Sequence, residues 1–193
     1  MTRKTIAALQ VSLDGFTQGP DRGEPPWVES WTESLELIGE VDAFVQGAGM
    51  YPGYGDYWSA ILEHPTSVAP YQSRAPTARE VAYARFAEKT PHYVVSKTQE
   101  RVAWPPSARI VRDFAELRAL KLQPGGNIYV VGGATLVRSL LSEGLLDELR
   151  LIVHPILLGG GKALFGELDQ RRTLSLVNAE IGTAGKVLLS YRT

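Results

Sequence analysis

Largely apolar runs alternate with amphipathic segments along this chain, and that alternation predicts a layered α/β fold. Runs with little charged interruption, which suit strands covered on both faces, lie at 5–11, 42–47, 92–96, 108–111, 128–131 and 148–158. Two more strands, 173–181 and 186–192, are predicted to form a terminal antiparallel hairpin. We expect a central mixed, mainly parallel sheet flanked by helices, within one domain spanning 1–193.

Helical signals fall between these strands. Ser30 and Glu33 stand at capping-box spacing within 27–40, and Thr77 and Glu80 stand at the same spacing at the start of 77–88. Asp113 is positioned to cap a third helix that ends near residue 121. The segment 47–58 concentrates glycine and aromatic residues without a regular period, so an irregular loop is expected there.

The clearest single unit is a strand, glycine turn, helix and strand between 125 and 155. After the apolar run, Gly132 and Gly133 let the backbone turn, and a helix with one apolar face follows and ends at Gly144. Glycines in front of a helix let an anion approach its unpaired amides, so this turn is a candidate phosphate cradle. Alternatively the glycines serve the turn alone, because the pattern is neither a complete G-x-G-x-x-G motif nor a P-loop.

Composition narrows the chemistry. The formal charge of −1 argues against a general binder of nucleic acid or anionic membranes. The absence of cysteine removes disulfides and thiolate chemistry, and His64, His92 and His154 have no metal-ligand spacing, so no metal site is expected. There is no apolar run of about 18 residues, and the first residues lead directly into a strand, which favours a cytoplasmic location.

Other segments carry side chains suited to binding a small ligand. A cation and two hydroxyls follow the strand at 92–96, where they form either a phosphate clamp or a solvated turn: Ser96, Lys97 and Thr98. Aromatic residues of two segments either stack on a planar substrate or pack the core, and the candidates for substrate contact are Trp27, Tyr51 and Tyr57. The loop 17–26 is long enough to act as a flap, and the glycines at 159–161 either touch a ligand or reverse the chain.

Five stretches together resemble the dihydrofolate-reductase-like superfamily, across nearly the whole chain and in the right order. They are TIAALQVSLDGF (5–16), YVVSKT (93–98), YVVGGAT (129–135), DELRLIVHP (147–155) and LGGGKALF (158–165). The closest branch contains the reductase domain of bacterial bifunctional riboflavin-biosynthesis deaminase/reductase proteins. The resemblance implies a three-layer fold, NADPH as cofactor, and hydride transfer to a pterin-like or aminopyrimidine substrate such as 5-amino-6-(5-phosphoribosylamino)uracil.

The resemblance also implies roles for particular residues. The pyrophosphate would lie at Gly132, Gly133, Ala134, Thr135 and Leu136, and the adenosine phosphate at Ser96, Lys97 and Thr98. Gly15 and Phe16 would approach the nicotinamide, and Gly47 ends a second strand at the cofactor. Asp14 would face the substrate as the preferred proton-handling residue, with Glu33 second, although Asp14-Gly15 also makes an ordinary turn.

One motif of the superfamily is incomplete. Many members carry Gly-Arg-x-Thr-aromatic after the second strand, but this chain has Gly47-Ala48-Gly49-Met50-Tyr51. The preference for NADPH over NADH is therefore open, and Lys97 is the remaining candidate for the 2′-phosphate. The cysteines of the deaminase half are absent. A non-catalytic NADP(H)-binding or sensing module is the alternative function, and a homodimer formed through the final strands is a third hypothesis.

Overall fold

The computed structural model describes residues 3–21, 27–28, 40–102, 104–166, 168 and 170–193. Within these residues, ten strands follow one another along the chain: β1 (Thr5–Ser12), β2 (Phe16–Gln18), β3 (Val41–Gly47), β4 (His92–Val95), β5 (Arg109–Val111), β6 (Asn127–Gly132), β7 (Glu148–His154), β8 (Lys162–Ala163), β9 (Ser175–Ile181) and β10 (Val187–Arg192). Four helices separate some of them: α1 (Tyr51–Glu63), α2 (Ala78–Lys89), α3 (Phe114–Leu122) and α4 (Ala134–Ser142).

Eight of the strands form one sheet in the order β5-β4-β3-β6-β1-β7-β10-β9. The first six pair in parallel, whereas β10 runs antiparallel to β7 and β9 runs antiparallel to β10. The predicted mixed, mainly parallel sheet with a C-terminal hairpin is therefore confirmed. The short strands β2 and β8 form a separate antiparallel pair that the sequence patterns did not predict.

Helices cover both faces of the sheet. Alternate side chains of β1 point to opposite sides, so Ile6 and Ala8 pack with α1 and α2, while Ala7 and Leu9 pack with α3 and α4. Each face therefore needs its own apolar side chains, which is why the central strands carry nearly continuous apolar runs. None of the described helices is long and apolar enough to cross a membrane.

The prediction of an irregular loop at 47–58 was wrong, because α1 begins at Tyr51. Its apolar side chains do recur at helical spacing, and Tyr51, Tyr54, Trp58 and Ile61 are buried on one side. The glycines within this segment obscured that period, since glycine lowers helix propensity. The predicted strand 148–158 is also too long, because β7 ends at His154, directly before a proline that cannot donate to the ladder. Most of the predicted helix 27–40 lies outside the described residues.

The capping box at the start of α2 is confirmed and is part of a larger polar network. Glu80 accepts hydrogen bonds from the backbone amide of Thr77 (2.8 Å) and from the guanidinium of Arg74 (2.8 and 3.1 Å), although its side chain is 1% exposed. Burial alone would raise the pKa of Glu80, but these hydrogen bonds outweigh it and hold the pKa below its ordinary value. The network fixes the loop before α2 against the helix.

The final strands form an open edge of the sheet. All seven residues of β9 are exposed, and Ile181 is 91% exposed. Such an edge can pair with another chain. The homodimer expected from the sequence stays a prediction.

Candidate active-site cleft

A cleft of about 790 Å³ opens where the central parallel strands end. Its wall is built by the middle of β1, the carboxyl ends of β3 and β6, side chains of α1 and α2, the start of α4, and short pieces of the neighbouring loops. Among the described residues, it is lined by Ala8, Leu9, Gln10, Thr17, Gln18, Gly47, Ala48, Gly49, Met50, Gly53, Tyr54, Tyr57, Trp58, Tyr71, Gln72, Tyr83, Val95, Phe114, Tyr129, Val131, Gly132, Gly133, Ala134, Thr135, Leu136, Ser139 and Lys162. Ligands of α/β sheets bind at this edge.

One end of the cleft is formed by the turn from β6 into α4. Gly133 is the N-cap of α4, and no side chain caps the helix there. Gly132 has a φ of 127°, and a β-carbon at this position would lie 3.3 Å from the sulfur of Met50. A β-carbon on Gly133 would lie 3.7 Å from the ammonium nitrogen of Lys162. The first amides of α4 and the Lys162 cation thus meet at one place, which favours a negatively charged group.

Lys162 was not among the site residues predicted from the sequence, because it is remote from the glycine turn in the chain. It is brought there by the small β2–β8 sheet, in which Gln18 pairs with Lys162, and the Thr17 hydroxyl donates to the Lys162 carbonyl (3.0 Å). The preceding Gly161 cannot carry a side chain, since a β-carbon would lie 2.1 Å from the Gln18 carbonyl oxygen. The glycine run at 159–161 was the available sequence signal.

Aromatic rings of α1 and α2 form another part of the cleft wall, called here the aromatic wall: Tyr54, Tyr57, Trp58 and Tyr83. Tyr54 Oη lies 3.0 Å from Tyr83 Oη and 3.2 Å from His92 Nε2. His92 Nδ1 lies 2.7 Å from the Thr90 carbonyl oxygen, so Nδ1 carries the proton and Nε2 accepts from Tyr54. Burial lowers the pKa of His92 to about 4 and raises the pKa of both tyrosines. All three side chains are uncharged near neutral pH.

Tyr57 is fixed in the same wall by the polar network of α2. Its hydroxyl donates to Glu80 Oε1 at 3.5 Å. Burial, followed by the nearby negative charge of Glu80, raises the pKa of Tyr57 to about 12. The hydroxyl therefore stays protonated.

Gln10 lines the cleft, and its side-chain amide is hydrogen-bonded to a buried histidine. Gln10 Oε1 lies 2.8 Å from Nε2 of the buried His154, and Trp27 packs edge-on against the His154 ring with 5.0 Å between centroids. Trp27 does not line the cleft itself. It supports Gln10 through His154 rather than forming a wall of the pocket.

Asp14 has a different environment from the one expected of a proton donor. Its carboxylate accepts from the Ser12 hydroxyl (2.6 Å) and from the amides of Leu158 (3.1 Å) and Gly159 (2.8 Å). The Ser12 hydrogen bond, and then those of the amides, lower the pKa of Asp14. Asp14 does not line the cleft, and it ties the turn after β1 to the loop after β7.

The structure brings some of the predicted site residues together and leaves others apart. Gly47, Tyr57 and all five predicted residues from Gly132 to Leu136 line the cleft. Those that do not line it are Gly15, Phe16, Trp27, Tyr51, Ser96, Lys97 and Thr98. The Tyr51 hydroxyl accepts from the Trp104 amide (2.7 Å), and the Ser96 hydroxyl accepts from the amides of the turn that follows it. Glu33 lies outside the described residues.

Comparison with known proteins identifies relatives over nearly the full chain. The chain matches the family model of the RibD C-terminal domain over residues 3–188. It is 31% identical to the uncharacterised protein YyaP of Bacillus subtilis, covering 98% of this chain and 94% of YyaP.

Two solved structures establish the dihydrofolate-reductase-like fold. A pyrimidine reductase-like protein of Corynebacterium diphtheriae has a TM-score of 0.62 and 18% identity, with 98% of this chain and 91% of that one covered. Dihydrofolate reductase of Enterococcus faecalis, solved in complex with NADP(H), has a TM-score of 0.63 and 13% identity, with 100% of this chain and 98% of that one covered.

We predict that His92 weakens the protein in mild acid. The unfolded chain protonates this histidine below about pH 6.5, whereas the folded protein keeps it neutral down to about pH 4. Stability is therefore lost as the pH falls through this window, by about 1.4 kcal/mol per pH unit and about 3 kcal/mol in all. His92→Gln should flatten that part of the pH dependence in urea unfolding, and His64→Gln, at an exposed histidine, should leave it unchanged. Equal slopes for wild type and His92→Gln would contradict the prediction.

Proposed function

Because the chain belongs to the RibD C-terminal domain family, we propose that it is an NADPH-dependent reductase acting on a small heterocycle, pterin-like or an aminopyrimidine of the riboflavin-pathway type. The observation that carries the proposal is the turn between β6 and α4. There, uncapped helix amides, two glycines and the ammonium group of Lys162 converge on one end of a cleft of about 790 Å³.

The residues at this turn fit the linked phosphates of a dinucleotide. The amides at the start of α4 are suited to donate to phosphate oxygens, because no side chain occupies the cap position. The space that a Gly133 β-carbon would take is the space through which a phosphate approaches. Lys162 supplies a positive charge at this turn, in a chain that has Ala48 where the superfamily's motif has arginine. Once bound, NADPH supplies the hydride, and the protein supplies position and surroundings.

Beyond this turn, the chain's own residues would orient the reacting rings. Ala8, Leu9 and Gln10 in the middle of β1 line the cleft together with the glycine turn and the aromatic wall. The buried rings of the aromatic wall would keep water away from the reacting rings. Holding two reactants in register in a dry cleft is a large part of catalysis of hydride transfer.

A non-catalytic NADP(H)-binding module is the second candidate. No carboxylate or histidine lines the cleft among the described residues, and the carboxylate of Asp14 is occupied by loop amides and the Ser12 hydroxyl. The two candidates differ in turnover. Loss of NADPH absorbance on addition of pterins or aminopyrimidines supports the reductase, whereas tight NADPH binding without turnover on either class supports the binding module.

We predict that NADPH stabilises the folded protein and that this requires Gly133. At about 100 times its dissociation constant, NADPH should raise the free energy of unfolding by about 2.7 kcal/mol. Gly133→Val should lose this effect, and its melting temperature without cofactor checks that it folds, since the β-carbon would meet no atom closer than the flexible end of Lys162 at 3.7 Å. Gly166→Val, away from the cleft with its nearest atom also at 3.7 Å, is the matched control. Normal NADPH stabilisation of Gly133→Val would refute the phosphate cradle.

Substitution of Lys162 and of Lys97 should affect the affinities for NADPH and NADH differently, because only NADPH carries a 2′-phosphate. Lys162→Ala should weaken NADPH and NADH alike, by about tenfold, because the pyrophosphate is common to both. Lys97→Ala should weaken NADPH more than NADH if Lys97 contacts the 2′-phosphate. Calorimetric titration of both cofactors measures this, with the exposed Lys89→Ala as control. Equal losses for the two cofactors in Lys97→Ala would remove the 2′-phosphate assignment.

A further inference from the structure

Charge is distributed unevenly along the cleft. Among the described residues, Lys162 is the only charged side chain in its wall, and its ammonium nitrogen lies at the glycine turn. The other described lining residues are uncharged, and they include aromatic rings of α1 and α2 and the amides of Gln10 and Gln72. The one positive charge of the described lining therefore lies at the glycine turn, which is proposed for the cofactor phosphates.

The aromatic wall is closely packed as well as uncharged. Trp58 packs against Tyr57 and Tyr83 with ring centroids 4.8 and 4.4 Å apart, and each of these rings is at most 7% exposed. The hydroxyls of Tyr54, Tyr57 and Tyr83 are engaged in the hydrogen bonds described above, and each has a raised pKa. Such a wall offers flat apolar surface. The cation behind it, Arg74, is not among the lining residues and is paired with Glu80.

A phosphate ester would be poorly matched to these surroundings. It carries a charge of about −1.5 to −2 at neutral pH, and burying it without a partner is costly.

We propose that the substrate of this protein is an uncharged planar heterocycle that carries no phosphate group, so that phosphoribosylated aminopyrimidines are excluded. This inference rests on the proposed function, because it assigns the glycine turn and Lys162 to the cofactor. The substrate ring stacks against the aromatic wall of the cleft. Gln10, which is hydrogen-bonded to His154, contacts the polar edge of the substrate ring.

The direct test compares 5-amino-6-ribosylaminouracil with its 5′-phosphate, and includes pterin as a ring without ribose. Binding is followed by quenching of tryptophan fluorescence, since Trp58 lies in the wall, with and without saturating NADPH. 5-Amino-6-ribosylaminouracil and pterin should each bind at least about tenfold more tightly than the 5′-phosphate ester, and their affinity should depend little on salt. Tighter, salt-sensitive binding of the ester, or no binding of either uncharged ring, would overturn the proposal.

A gain-of-function variant tests whether the phosphate ester binds weakly because the cleft lacks a second positive charge. Gln72 lies half-exposed in the wall, so Gln72→Arg adds a cation to the cleft lining without disturbing the core. It should improve binding of the 5′-phosphate by about tenfold, in a salt-dependent way, and leave pterin unchanged. Gln72→Met is the control for size. An ester affinity that is the same in both variants would contradict the proposal.

Failure of the substrate inference is distinguishable from failure of the proposed function. NADPH titration in the absence of substrate reports on the cofactor end alone. If NADPH binds and the phosphate ester is the preferred substrate, only the substrate class is wrong. If NADPH does not bind while pterin still quenches tryptophan fluorescence, the reductase proposal is wrong and the ring site remains.

Discussion

The turn between β6 and α4 constrains the rest of the structure. A central buried strand ends there and a helix begins within two residues, so the backbone must approach Met50 from one side and Lys162 from the other. Side chains at Gly132 and Gly133 would fill the space between these neighbours, and the helix amides would lose their access to the cleft. Glycine at this point thus serves the chain reversal and the electrostatics of the site together.

The lining of the cleft combines two chemically different sets of groups. Because β1 lies between β6 and β7, residues in its middle line the same cleft as the glycine turn and the aromatic rings. Backbone amides and one lysine make the glycine turn attractive to anions. Tyrosine and tryptophan rings are suited to a flat, uncharged molecule.

Buried polar groups behind the aromatic wall hold it in place. Glu80 is satisfied by Arg74 and Thr77, and it orients Tyr57. Burial keeps His92 neutral, so its Nε2 accepts a hydrogen bond from the Tyr54 hydroxyl. The Tyr54 hydroxyl is in turn hydrogen-bonded to the Tyr83 hydroxyl. Since each of these groups has partners, the wall is fixed before any ligand arrives, at the expense of stability in mild acid. Together they hold an aromatic surface of the kind on which a planar ring can stack.

The sequence by itself determined the eight strands of the main sheet, their mainly parallel pairing, the glycine turn and the absence of thiol chemistry, because these follow from local periodicity and residue type. It did not reveal the small β2–β8 sheet. It did not reveal α1, where glycines masked a helical spacing from Tyr51 to Ile61. Tertiary structure alone decided that Lys162 reaches Gly133, that Gln10 rests on His154, and that the Asp14 carboxylate is held by loop amides. These contacts join residues between 29 and 145 positions apart, and only the crossing of strands and loops in three dimensions brings such residues together.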